Sequence, residues 1–297
     1  MPHKAGSLFA VLVVTGILVA CGHSGSGPSL PSPAPTEFTQ PRRVTILGYT
    51  GDAMEPCLSP DGLVLFFNNR NDPAVDTNLH FADRVDPLTF QYRGEVAGAN
   101  STSLDAVASM DASGLVYFIS TRSYATTLST VYRGAWSAGA LTNLELVGGI
   151  PATAAGQVIF DASISLDGNL LWFAEGDYST GTLTTANLVL ARKSAAGFAR
   201  SADSATLLQQ VNLAGGTQYA PAVFGAGLEL FFTRLQGGTP VIYTAFRPDP
   251  ASAFGPAHAI QAITGFAEAP ALSSDGKSLY YHALVNGQFV LYRATRP

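Results

Sequence analysis

Glu55-Pro-Cys-Leu-Ser-Pro-Asp-Gly62, followed directly by Leu63-Val-Leu-Phe-Phe-Asn-Asn-Arg70, is the stretch from which the fold can be read. A short run of small residues leads into an Asp-Gly turn, and a strand dense in aliphatic and aromatic residues follows. Asp-Gly is a strong hairpin signal, because glycine accepts positive φ and the aspartate bonds back to the backbone. A strand that is apolar on both faces must be buried on both sides. The pattern returns downstream. Asp105-Ala-Val-Ala-Ser-Met-Asp-Ala-Ser-Gly114 precedes LVYFISTR, and Asp161-Ala-Ser-Ile-Ser-Leu-Asp-Gly168 precedes NLLWFAEG. Ala220-Pro-Ala-Val-Phe-Gly-Ala-Gly227 precedes LELFFTRL, and Ala269-Pro-Ala-Leu-Ser-Ser-Asp-Gly276 precedes KSLYYHAL.

Asp61, Asp111, Asp167, Ala226 and Asp275 mark the turns, at spacings of 50, 56, 59 and 49 residues. The four aspartates, with Gly62, Gly168 and Gly276, read as structural turn formers. Solenoid repeats are usually shorter and helical, whereas this period, filled with strand chemistry, is that of propeller blades. A third, alternating strand follows in each copy: NLHFADRV, STVYRGAW, NLVLARKS, VIYTAFRP and FVLYRATR. Weaker fourth strands follow the first four copies: FQYRGEVAG, LTNLELVGG, ATLLQQVNLAGG and AHAIQAITG. The fifth copy has none, and Arg43 to Leu47, ahead of the first copy, is expected to supply it. Main-chain hydrogen bonds would then close the ring and protect its edges. The expected fold is all-β, a five-bladed β-propeller of four-stranded blades over residues 42–297.

Leu58-Ser-Pro-Asp-Gly62, and with one change Leu272-Ser-Ser-Asp-Gly276, resemble the repeat of TolB-type, or WD-repeat-like, β-propellers. Arg70, Arg122 and Arg234, near the ends of the second strands, fit the same resemblance. It covers about residues 42–297, with the turn aspartate of the fourth copy lost to Ala226. It implies the fold, and a periplasmic or surface protein that binds partners. A propeller alone licenses no activity.

Composition agrees. Only 12% of residues are charged, and 30 glycines and 18 prolines suit many strands joined by turns. The sixteen basic residues are scattered and the net charge is −5, which excludes an extended basic surface for nucleic acid.

The N-terminus reads as an address. Lys4 precedes the apolar run from Leu8 to Ala20, which is too short for a membrane span of about 20 residues but suits a secretory signal. Leu18-Val19-Ala20-Cys21-Gly22 resembles a bacterial lipobox. The resemblance implies residues 1–20 as a lipoprotein signal peptide and Cys21 as the lipidated residue. Two or three acyl chains anchor stably, where one binds reversibly. Gly22 is not the aspartate of inner-membrane retention, so the outer membrane is implied, on its periplasmic face or the surface. Residues 21–41, rich in Gly, Ser and Pro, read as a disordered tether. With Cys21 acylated, Cys57 has no partner for a disulfide, and on an inner strand it reads as a buried hydrophobe.

Glu55, Asp105 and Asp161 each lie six residues before the turn aspartate of their copy, and Glu268 is one residue out of register. Carboxylates from successive blades would meet at one mouth of the central channel. There they could hold backbone or arginine, bind a ligand or a cation such as Ca2+, or flank a glycosidic bond. No histidine spacing indicates zinc, no G-x-S-x-G elbow is present, and no cofactor is indicated. Trp136, Tyr124, Tyr178 and Tyr219, with the loops at 148–157 and 177–185, are candidates for partner contact. The function expected is a monomeric, membrane-anchored scaffold that binds a protein or cell-wall glycan. A glycoside-active propeller using the channel carboxylates is the alternative. Substituting Cys21→Ala is expected to abolish labelling by radioactive palmitate and to leave unprocessed precursor on a gel; labelling that persists would refute the lipobox reading.

Overall fold

The computed structural model describes residues 37–71 and 76–297. The expected signal peptide, Cys21 and most of the expected tether lie outside these residues.

Each copy of the repeat folds into an antiparallel blade whose first strand is innermost. Two short strands precede the first blade, β1 (Thr39–Arg43) and β2 (Thr45–Leu47). Blade one is β3 (Met54–Leu58), β4 (Val64–Asn68), β5 (Leu79–Asp86) and β6 (Thr89–Glu95). Blade two is β7 (Asp105–Met110), β8 (Leu115–Ser120), β9 (Val131–Ser137) and β10 (Ala140–Leu146), with a one-turn helix α1 (Tyr124–Thr127) before β9. Blade three is β11 (Gln157–Ile164), β12 (Leu170–Asp177), β13 (Thr185–Ser194) and β14 (Gly197–Arg200), followed by α2 (Ser204–Leu207). Blade four is β15 (Gln218–Phe224), β16 (Glu229–Gln236), β17 (Thr239–Phe246) and β18 (His258–Ala259). Blade five is β19 (Ala267–Leu272), β20 (Ser278–Val285) and β21 (Gln288–Thr295), completed by β1. The inner strands touch in the ring order β3, β7, β11, β15, β19 and back to β3.

Second strands such as Leu65-Phe66-Phe67 and Leu171-Trp172-Phe173 are fully buried, as their two-sided apolar pattern requires. The core falls into five clusters, one between each pair of neighbouring blades. Blades one and two, for example, share Phe66, Val116 and Phe118. Asp61, Asp167 and Asp275 each accept from a serine hydroxyl two residues back and from the N–H two residues on. In copy two the order is exchanged: Asp111 takes the serine's place and Ser113 donates to it at 2.6 Å. Arg84, on the third strand of its blade, and Arg247 and Arg296, each one residue past theirs, donate to the turn carbonyls of Gly62, Gly227 and Gly276.

Three details differ from the sequence reading. The clasp forms, but through Thr39–Arg43: Arg42 lies opposite Arg293 and Arg43 opposite Tyr292. The chain then crosses over, and Thr45–Leu47 pairs in parallel with β6 of blade one. The cause is Phe38, 2% exposed, which fills the core between blades four and five against Phe231 and beneath Arg296. A strand beginning at Arg43 would leave that site empty, so residues 38–41 belong to the propeller and not to the tether. Lastly, ATLLQQVNLAGG is no strand. Leu207, Leu208 and Val211 are buried at helical spacing behind α2, and Gly197–Arg200 forms the outer strand instead. Phe38→Ala is expected to cost about 3 kcal/mol, read as a lower urea midpoint; an unchanged midpoint would show that the clasp does not depend on this anchor.

Candidate functional site

One irregularity of the inner strands builds the site. Glu55, Val107, Asp161, Ala220 and Ala269 each stand seven residues before a turn glycine, and each has positive φ, between 49° and 56°. Pairing with the second strand slips at these residues in every blade. Such bulges re-aim a side chain. All five residues line the central channel, so the bulges form a ring around it. Left-handed backbone is uncommon outside glycine and an outlier for β-branched Val107. Something must therefore hold the ring in place.

Four of the five bulges, all but Asp161, give their N–H to a side chain of the preceding blade. Val107 donates to Asn68 Oδ1 at 3.1 Å, Ala269 to Thr233 Oγ1 at 3.0 Å, and Glu55 to His282 Nδ1 at 3.2 Å. Asn68, Thr233 and His282 occupy one place in the repeat, opposite the residue before the bulge. In blade three that place is Ala174, which offers no acceptor, and Asp161 Oδ2 takes the Ala220 N–H at 3.1 Å.

The four candidate carboxylates divide accordingly. Asp105 is not in the ring. The exchanged turn of copy two puts Val107 there, because the blades align on the turn glycine and not on the aspartate. Asp105, wholly buried, pairs with Arg122 at 2.5 Å and accepts from the Ser101 N–H and hydroxyl at 2.6 and 2.7 Å. Asp161 is spent in part on Ala220. Glu268 accepts from Tyr219 at 2.5 Å through one oxygen and faces His282 Nε2 at 2.8 Å through the other. Glu55 accepts only from Asn71 Nδ2, at 3.1 Å, among the described residues. The site thus adds His282 and Asn71 to the sequence set and takes in Tyr219, which the sequence offered for partner contact and which instead lies on inner strand β15, bonded to Glu268. A polar residue closing an apolar second strand, as in FFN, FFT and YYH, was the signal for His282.

Burial is the main force on these groups. It pushes the Glu55 carboxyl well above its usual range, helped by the charges of Asp161 and Glu268. It raises Asp161 to about 7, with Glu268 adding to the shift and the Ala220 N–H opposing it. Burial also works against the Glu268 charge, but His282 and the Tyr219 hydrogen bond outweigh it and hold that carboxyl below its usual range. Burial and Glu268 drive the Tyr219 hydroxyl far upward, so it remains a donor. Cys57, on the channel wall, is pushed to about 12 by burial and remains a thiol.

Glu55, Glu268 and His282 offer ligand atoms within 4.8 Å of one another. The histidine is nonetheless a poor metal ligand. Its Nδ1 accepts a backbone N–H, so the neutral ring carries its proton on Nε2 and donates a hydrogen bond from there to Glu268. A ligating histidine shows the reverse, donating from its second nitrogen.

The channel holds about 120 Å³ of free space and runs from Glu55 and Asp161 to the turns at Ser59 and Ser273. Trp136 is not part of this site: it packs edge-on against Phe66 and Phe81. Loops 148–157 and 177–185 do meet, through Tyr178 N–H to Gly156 O at 2.7 Å, and Tyr124 braces them by donating to Gln157 O at 2.7 Å.

No protein-family model and no curated protein matches the chain. Among solved structures, a family 117 glycoside hydrolase from the marine bacterium Zobellia galactanivorans is 12% identical with a TM-score of 0.57, over 88% of this chain and 90% of that one. An endo-arabinase from Bacteroides thetaiotaomicron is 14% identical with a TM-score of 0.55, over 86% and 98%. A TolB-like protein from Agrobacterium tumefaciens is 17% identical with a TM-score of 0.43, over 65% of this chain and 59% of that one. The first two share the five-bladed fold, and at such identities the likeness extends to fold alone.

Because folded Asp161 keeps a proton that the unfolded chain releases near pH 4, its contribution to stability is full below that pH and is lost as pH rises to about 7. Urea melts in chelator are expected to show a lower midpoint at pH 8 than at pH 5, and a smaller drop in Asp161→Asn. Equal drops would remove Asp161 as the cause.

Proposed function

We propose that the chain is a lipid-anchored cell-envelope propeller that binds a protein or a cell-wall glycan without chemistry. The observation that carries this reading is the use made of the carboxylates. Asp105 holds Arg122, Asp161 holds the bulge of blade four, and Glu268 is held by His282 and Tyr219. These are tasks of assembly. The channel beside them, at about 120 Å³, is smaller than the roughly 300–1,000 Å³ of small-molecule sites. Binding then belongs to the outer surface. The joined loops 148–157 and 177–185 present Thr153, Ser179, Thr180 and Thr182 to solvent, a polar rim braced from below by Tyr124 and Tyr178. Braced polar loops suit recognition, because little ordering remains to be done on binding.

A glycoside-active propeller is the second reading. It is favoured by one observation: Glu55 and Asp161 are pushed toward the protonated form while Glu268 keeps its charge, the separation that an acid and a base require. Two of the proteins that share the fold are a glycoside hydrolase and an arabinase.

Purified protein is expected to co-sediment with peptidoglycan sacculi or to cross-link to one envelope protein in situ. The double variant Ser179→Arg, Thr182→Arg should weaken either contact at least tenfold, with Glu268→Gln leaving it intact. Release of sugar from arabinan or aryl glycosides, abolished by Glu268→Gln, would overturn this reading in favour of the second.

A further inference from the structure

The two ends of the channel differ in chemistry. Glu55 and Asp161 stand at one end, while Pro60, Met110, Leu166, Phe224 and Leu272 line it toward the turns. Farther out on the turn face, Leu63 is 58% exposed and Val85 60%, and Leu166 is 47% exposed. They share that face: the Leu63 carbonyl accepts from Arg84, next to Val85, and the Leu166 carbonyl accepts from Ala112, in the turn of copy two. Single exposed leucines are ordinary, but several on one face mark a contact surface. Two lysines occur among the described residues, and both are exposed on this same face. The Lys193 N–H bonds to the turn residue Asn169, and Lys277 follows turn residue Gly276. The chain also enters the domain here. Thr39 lies opposite Thr295, which lies opposite Ser278 at the turn of copy five. The sixteen residue steps from Cys21 to Glu37 reach at most about 55 Å when fully extended.

We propose that the turn face is a membrane-docking surface. Leu63, Val85 and Leu166 enter the headgroup region of the bilayer that holds the chain, and Lys193 and Lys277 meet lipid phosphates, the pairing of apolar and basic side chains that suits an interface. The inference rests on the lipid-anchor reading and gives it a direction. The acidic end of the channel and the loops 148–157 and 177–185 lie at the opposite ends of the strands, so the partner-binding rim is turned away from the membrane. Three side chains bury too little surface to hold an unanchored domain on lipid. A short tether that starts on the same face keeps that face at high effective concentration, and a weak contact then suffices.

The test uses the full chain, labelled with palmitate in cells and reconstituted into vesicles of phosphatidylethanolamine and phosphatidylglycerol. Half of the vesicles carry bromine high on the acyl chains, where it quenches tryptophan. The signal of native Trp136 and Trp172, measured in the parent protein, is subtracted. The added tryptophan of Leu63→Trp or Leu166→Trp is expected to lose about half of its fluorescence in brominated vesicles, as a side chain at the headgroup boundary would. Leu213→Trp and Leu284→Trp, toward the opposite ends of the strands, should lose no more than about a tenth, being out of reach of the acyl chains. Adding Leu63→Asp and Val85→Asp to Leu166→Trp should remove most of its quenching, and all of these exposed positions should tolerate the change without loss of folding. A labelled chain quenched equally at both ends would overturn the docking and leave the anchor standing. An unlabelled chain would overturn both.

Discussion

The ring depends on a hydrogen bond that crosses from one blade to the next. Every inner strand bends at a residue in left-handed backbone, and the N–H at that bend no longer belongs to its own sheet. Asn68, Thr233, His282 and Asp161 each accept one of these N–H groups from the following blade. A buried N–H left unpaired costs about 1–3 kcal/mol. Four such contacts therefore weigh heavily against a net stability of only about 5–15 kcal/mol. Apolar packing between blades is plentiful, but it is not directional. The crossing hydrogen bonds fix the rotation of one blade against its neighbour.

The chemistry of the channel mouth follows from that constraint. His282 can accept from Glu55 only as the tautomer protonated on Nε2, and Glu268 enforces that tautomer by accepting a hydrogen bond from Nε2–H. Tyr219, from blade four, then satisfies the second oxygen of Glu268. Blades four, five and one are linked by one chain of contacts, and a group of residues with the look of an acid–base site has a complete structural occupation. Glu55 is the exception, since its carboxyl supports no neighbouring blade.

Much of the architecture was legible in the amino-acid order. The repeated turn with its buried second strand set blade number, strand order and closure by the N-terminal segment. What escaped had a specific cause each time. Phe38 sits in a Pro- and Ser-rich stretch, and its worth as an anchor exists only once blades four and five create the hole it fills. Asp105 looked equivalent to Glu55 because both were counted from an aspartate; the Ser-Asp exchange in copy two preserves the turn's hydrogen bonds while moving that marker by two positions. Glu55, Asp161 and Glu268 were found because acids are rare on such strands. His282 and Asn71 were not, since their roles come from other blades or loops and leave no local periodicity.

The crossing of the N-terminal segment from blade five to blade one also has a mechanical meaning. A pull applied to the chain at Glu37 acts along β1, whose bonds to β21 are perpendicular to it. The load is carried in shear, by all of those bonds together, and not by peeling them one at a time. Beyond β1, Val44 is tied to Leu291 and Thr45 to Leu88, so the same force reaches two blades at once. For a domain held by its N-terminus, the seam of the ring is also the place where it best bears tension.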